Sequence, residues 1–507
     1  MNVQNYFIGI DVGTSSVRAV LFDNDGYQIR MESQECVIIS NIEGHFELSP
    51  DAVFTSTLQV LKGCIENSKV AKTAIAGMGF SCHMHSLMAV DAAGKPLTEL
   101  MIWADARAQA EASWINLNFN GFELYKKTGC RVSHPLYPIS KLLWLKKNKP
   151  AVFKQAAKFI TIKEYIIHKL YGEYMVDVTL ASCQGYFNLH TGNWDKGILS
   201  DILGITTDRL SPVVACTTVL KNVKKEFLDF LGLGQDVPMV IGSGDGIMAN
   251  LGCGVMDNNS VSSTIGTSGA IRTTTSQPLF DTEQRTWCYA FTQNQWVIGG
   301  ALNNGGLVLK WLRETFKQQF EYDAGILGEK AYKVFDHYAG QVPPGSEGLI
   351  FLPYLIGERS PDWRSDVRGL MVGLDYNHSR KHIIRAAMEG VMYRMFSIYE
   401  AMEQSSHPTA PIKANGGYTA SEVWLQIQSD VFNKEIQISA VSEASALGAA
   451  YLAMTALGFW NDQKELPSMR AIKSIQPCAS SHALYRNTYE RSKEIYKSIY
   501  PPLSEIN

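Results

Sequence analysis

No Gly-x-x-x-x-Gly-Lys-Ser/Thr element occurs anywhere in the chain, which excludes a nucleotide cradled by a P-loop. In Gly242-Ser243-Gly244 the third glycine of a dinucleotide fingerprint is replaced by Ile247, so that reading is dismissed as well. The nine cysteines are odd in number and contain no Cys-x-x-Cys pair, so reduced thiols in a cytosolic protein are the expectation. The apolar run ahead of Asp11 is four residues, far short of a membrane span or a signal core, and no membrane partner is expected. Charge is sparse at 19% of residues, and a formal net charge of -3 leaves no footprint for nucleic acid. At 507 residues, 46% of them apolar, the chain is too long for one core, and two large domains are expected.

Residues 6–22 form two apolar runs around a hydroxyl-rich turn, the pattern of two strands and a hairpin. Gly13 lets the backbone come close to a ligand, and Thr14, Ser15 and Ser16 offer amides and hydroxyls suited to phosphate oxygens. Asp11 ends the first strand, where it can hold Mg2+ through water, and Arg18 can reach the same anion. Read alone, this is an ordinary hairpin. Residues 259–272 repeat it: a β-branched run, then Gly266, Thr267 and Ser268, then an apolar segment carrying Arg272. Two homologous halves, each offering a phosphate-binding hairpin to one nucleotide, follow from the repeat.

Between and after the hairpins several stretches carry polar groups on otherwise apolar elements. Strand 74–80 leads into Ser81-Cys82-His83-Met84-His85, and strand alternation predicts His83 and His85 on one face, a platform for hydroxyls rather than a metal pair. Strand 100–105 ends in Trp103 and Asp105, which would give a C–H surface and a hydroxyl acceptor to a polyol; core packing is the plainer reading of Trp103. His134 lies in a loop before an amphipathic helix. Gly305-Gly306 opens another helix and permits close contact with a base or ribose. Residues 379–403 form the clearest helix, and Gly416-Gly417 ends a strand just before a further helix start at Ser421.

The paired turns, with Gly244-Asp245-Gly246 just before the second, resemble the FGGY carbohydrate kinases. That resemblance implies an α/β chain with the two-domain actin- and hexokinase-like (ribonuclease H-like) ATPase fold, a duplicated core and an inter-domain cleft. Residues 1–254 would bind sugar and phosphates, and residues 255–507 the nucleotide. It implies ATP and Mg2+ as cofactors, a small-molecule sugar as partner, and a homodimer as the usual assembly. Asp245 would be the catalytic base and Arg18 would stabilise charge on the transferred group. Gly306, Lys310, Gly416, Gly417 and Ser421 would hold the nucleotide, with Ser421 standing where asparagine is common. His83, Met84, His85, Trp103, Asp105, His134 and Asp245 would meet the acceptor, although His83 and Ser86 depart from the usual glutamine and glycine.

Residues 84–91, 102–105, 162–166 and 299–306 are most similar to the gluconate-phosphorylating members of that family. This implies transfer to the 6-hydroxyl of D-gluconate, whose carboxylate would need a cation such as Lys163, Arg107 or Arg131. A ketopentose or polyol acceptor and a non-catalytic sugar-sensing ATPase are the alternatives.

Overall fold

The computed structural model describes residues 4–501 apart from 41, 329, 330, 407–409, 462 and 463. Two sheets dominate it, each laid down by one half of the chain. The first contains β1 (Tyr6–Val12), β2 (Ser16–Phe22), β3 (Gln28–Glu35), β4 (Ile75–Cys82), β5 (Val219–Leu220) and β6 (Met239–Gly244), in the order β5-β6-β4-β1-β2-β3. The second contains β7 (Val261–Ile265), β8 (Gly269–Thr275), β9 (Trp287–Thr292), β10 (Gln295–Leu302), β11 (Ile412–Asn415), β12 (Ile436–Ser439) and β13 (Ala471–Ile475), in the order β9-β10-β8-β7-β11-β12-β13. In both, an antiparallel run, of three strands in the first sheet and four in the second, starts at the first strand, two parallel strands lie on that strand's other side, and one further antiparallel strand closes that side. Sequence repetition at the two hairpins is therefore repetition of a whole topology.

Central strand β1 is covered on both faces, which is why it reads as a near-continuous apolar run rather than an alternation. One face is covered by α1 (Pro50–Asn67), which starts at Pro50 as its sequence predicts, though the Ser49 side chain makes no capping bond. The other face is covered by α6 (Ala444–Ala456), a helix from the second half of the chain. A Cβ added to Gly9 would lie 1.9 Å from the Ala446 carbonyl oxygen, and one on Gly79 would lie 2.1 Å from that of Ala449. The glycines of β1 and β4 thus let the helix backbone rest directly on the sheet. Helix α2 (Asp245–Gly252) meets α6 in the same way, since Gly252 faces the Ala444 carbonyl and Gly448 faces that of Met248, each at 1.9 Å from an added Cβ.

Some boundaries differ from the sequence reading. The strand expected at 100–105 ends at Met101, and the long helix, α4, covers Arg380–Ser406. All nine cysteines are free thiols. No helix among the described residues is long and apolar enough to cross a membrane.

Candidate active site

The carboxyl ends of β1, β4 and β6 are neighbours in the first sheet, and each delivers polar groups to one place. Asp11 lies in the β1 end and its Oδ1 accepts from the Ser81 hydroxyl of β4 at 2.8 Å. Asp245 is the first residue of α2, with Gly244 in the cap position, and its Oδ1 accepts from the Gly246 amide at 2.7 Å. Burial, then the charge of Asp245, pushes Asp11 up to about 7. Burial also raises Asp245, opposed by the nearby cations Arg272 and Arg359. Two carboxylates in one desolvated pocket make simultaneous ionisation costly, and a divalent cation beside Asp11 would remove that cost. The residues present fit Mg2+ on these grounds.

Arg18, the cross-strand partner of Asp11, lies 3.9 Å from Asp11 Oδ2 and donates to Glu443 Oε2 at 3.2 Å. Glu443 immediately precedes α6, and Ser445 of that helix donates to the Asp245 carbonyl at 3.3 Å. Gly13 closes the first turn by donating to the Ser16 carbonyl at 3.0 Å, and the turn projects Ser15 to solvent while Thr14 accepts from Trp103 Nε1 at 3.4 Å.

The second turn, Gly266 to Ser268, is built into a different surface. Gly306 donates its amide to the Gly266 carbonyl at 2.8 Å, and Leu307 donates to that of Thr267 at 3.0 Å, so the helix α3 (Leu307–Thr315) starts on the turn itself. Gly416, at φ 94°, sits where a Cβ would approach the Ile265 carbonyl at 2.6 Å. Gly417 beside it faces open space, as does Gly266. Exposed Lys310 lies one turn into α3. Ser421 caps α5 (Glu422–Phe432) by accepting from Trp424 N and donates to Asp336, so its hydroxyl is already engaged. The five residues expected to hold a nucleotide thus lie around one turn and the two helix starts next to it.

Around Asp245 the expected acceptor residues divide. Met84 packs on the Asp245 turn, with its side chain 2.7 Å from an added Gly244 Cβ. β4 stops at Cys82, and His85 takes a left-handed φ of 65°, so the two histidines do not alternate along a strand as expected. His83 is buried, its Nδ1 3.1 Å from the Val12 carbonyl, and is pushed down to about 4 by burial. His85 Nε2 lies 2.9 Å from the Tyr289 hydroxyl of β9. Lys141 fixes this turn by donating to the carbonyls of His85 and Ile102. His134 packs edge-on against Trp363, and Trp103 lies under the Arg359 guanidinium at 4.7 Å.

Asp105 is placed otherwise. Its carboxylate is buried and accepts from the Phe46 amide and from Arg107, which bonds it bidentately. The group holds its turn together and offers no free oxygen to a hydroxyl. Two of the three carboxylate partners suggested by the sequence are also taken up, Arg131 being the exception. Arg107 spans Asp105 and Glu47, while buried Lys163 lies 2.6 Å from Asp177 and donates to the carbonyls of Ile241 and Ser243, bracing β6 just ahead of Asp245.

Sequence reasoning gave no role to Arg272, Arg359, Tyr289 or Glu443. Arg272 had a signal, because it stands in β8 as Arg18 stands in β2, and here it faces Asp245. Arg359, set among Asp245, His85 and His134, had none beyond its polar neighbours.

Residues 6–252 match the N-terminal domain, and residues 261–457 the C-terminal domain, of the FGGY family of carbohydrate kinases. A gluconokinase of Bacillus licheniformis is 40% identical over 98% of this chain and 94% of its own. The crystal structure of gluconate kinase from Lactobacillus acidophilus superposes with a TM-score of 0.92 at 32% identity, covering 99% of this chain and 100% of its own. That of a ligand-bound xylulose kinase from the same organism gives 0.91 at 32% identity over 99% and 100%.

Proposed function

The chain is a member of the FGGY family of carbohydrate kinases, and from that premise we propose that it transfers the γ-phosphoryl group of ATP to the 6-hydroxyl of D-gluconate. The observation that carries this reading is a partly buried carboxylate, Asp245, flanked by two cleft arginines, Arg272 and Arg359, neither of which has an ion pair among the described residues. Phosphoryl transfer requires positioning and charge stabilisation more than covalent work. The acceptor hydroxyl gives its proton to Asp245, a weak base that suffices because the proton leaves late. Arg18 and the amides of the two turns face the phosphates, while the Gly306 and Gly416 region holds the base. Asp11 would hold Mg2+, which spreads the phosphate charge when bound. Arg359 over Trp103 closes the acceptor side against water, the competing nucleophile.

Gluconate differs from a neutral sugar in its carboxylate, and an arginine facing the acceptor is suited to it. In this reading residues 1–254 serve acceptor and phosphates, residues 255–507 serve the nucleotide, and the protein works in the cytoplasm as a homodimer. A second reading, a ketopentose acceptor, is favoured by the equal identity to the xylulose kinase. ADP release with Mg-ATP, measured with D-gluconate, D-xylulose, glycerol and no acceptor, separates them. Stimulation by gluconate above the others is expected. Stimulation by xylulose alone would replace the acceptor and keep the mechanism.

A further inference from the structure

A cavity of about 650 Å3 lies behind the segment that carries Arg359. Six cationic side chains line it, Arg131, Arg285, Arg364, Arg394, Lys493 and Lys497, against the three carboxylates of Glu283, Asp362 and Glu400. Four of the cations are held by ion pairs: Arg285 with Asp281, Arg364 with Asp366, Arg394 with Asp362, and Lys493 with Glu400. These pairs fix the wall and neutralise those four cations, so the wall's uncompensated positive charge is that of Arg131 and Lys497. Arg131 and Lys497 have no carboxylate within ion-pair distance among the described residues, and the nearest acceptor of Arg131 is the Gln284 carbonyl at 3.4 Å. In the same wall the Tyr496 hydroxyl and Arg394 Nε are buried without a protein partner among the described residues.

Fixed guanidinium groups with surplus positive charge suit a tetrahedral dianion better than a lone carboxylate, because several donors can converge on its oxygens. The volume falls within the range of about 300–1,000 Å3 usual for metabolite sites. The wall is also shared with the cleft. Arg359 lies over Trp103, and Trp363 packs against His134 with ring centroids 5.3 Å apart, whereas Asp362 and Arg364 of the same segment line the cavity. Trp363 Nε1 donates to the carbonyl of Arg285, another lining residue, at 3.3 Å. Arg131 stands three residues ahead of His134 in the loop that borders both spaces.

We infer that this cavity binds a phosphate ester and that its occupancy changes the affinity of the cleft for the acceptor. An anion drawing in Arg131 and Arg364 acts on the two segments that carry His134, Arg359 and Trp363, which is a coupling between two sites through a shared wall. The binding half holds whatever the acceptor proves to be.

The test is calorimetric titration of the full chain with D-glucose 6-phosphate, with ADP and D-gluconate saturating so that the cleft is filled. Binding at one site is expected, weakened at least about tenfold by Lys497→Glu, a change on an exposed helix position that leaves folding intact, and by Arg131→Met. In the wild type the same probe is expected to shift the acceptor KM at least about twofold, and in Lys497→Glu to leave it unchanged. No binding, or binding that survives both substitutions and so belongs to the cleft, overturns the site. Binding with an unmoved KM overturns the coupling.

Discussion

Arg18 reaches out of its own sheet to Glu443, 3.2 Å away, although Asp11, its partner on the neighbouring strand, lies 3.9 Å from the same nitrogen. The residue we propose to face the transferred phosphoryl group is therefore shared by two carboxylates, one from each half of the chain. In that role, phosphate oxygens entering the cleft would compete with Glu443 for its guanidinium.

Replacing Glu443 by Gln removes this competitor. Because Arg18 is partly exposed, the pair is worth about 0.2–1 kcal/mol, so the KM for Mg-ATP should fall about 1.5- to fivefold with kcat little changed. Initial rates at varied Mg-ATP measure this, and a raised KM would mean that Glu443 positions Arg18 instead of occupying it.

Asp245→Asn should keep both substrates bound while lowering kcat by about 10^2- to 10^4-fold, the usual contribution of a placed base. Calorimetry alongside turnover distinguishes this from misfolding. Turnover within tenfold of wild type would leave proton transfer to another group.

Burial, then the charge of Asp245, pushes the Asp11 carboxyl up to about 7 in the folded chain, from its ordinary value of 3.8. A carboxyl raised on folding costs nothing at low pH, and its ionisation favours the unfolded chain increasingly as pH rises from about 4 to about 7. Asp11→Asn should accordingly melt higher than wild type at about pH 8 without Mg2+, with the gap closing as pH falls toward about 4. Added Mg2+ should raise the wild-type Tm and leave the variant unmoved. A pH-independent gap in thermal scans would contradict the desolvation account.

Arg359→Gln should raise the KM for gluconate by about 10- to 100-fold, the worth of a charge-assisted hydrogen bond, and affect a neutral acceptor far less. Equal losses with gluconate and glycerol would assign Arg359 to the phosphoryl group.

Both hairpins, the glycine turn holding Asp245 and the helix starts at Gly306 and Ser421 were legible because each is a local device: a turn residue at a fixed offset between periodic runs. The partners of charged side chains were not. Lys163 and Arg107 offered themselves as anion ligands in the sequence, and only the fold reveals that Asp177, Asp105 and Glu47 claim them. Asp105 was misjudged for the same reason. Conversely, Arg359 acquires its place beside Asp245 from a segment more than a hundred residues away. The small side chains of α6 suit tight packing on a sheet, but nothing in its composition says that the sheet is the one built by the first half of the chain.

That last contact makes the two halves one object. A protease cutting between Gly252 and Val261 would sever the chain without freeing either piece, since α6 would still lie in the groove lined by Gly9 and Gly79. A fragment ending at residue 254 would instead carry that groove empty, with the faces of β1 and β4 bare to water. The protein can be nicked, but it cannot be halved.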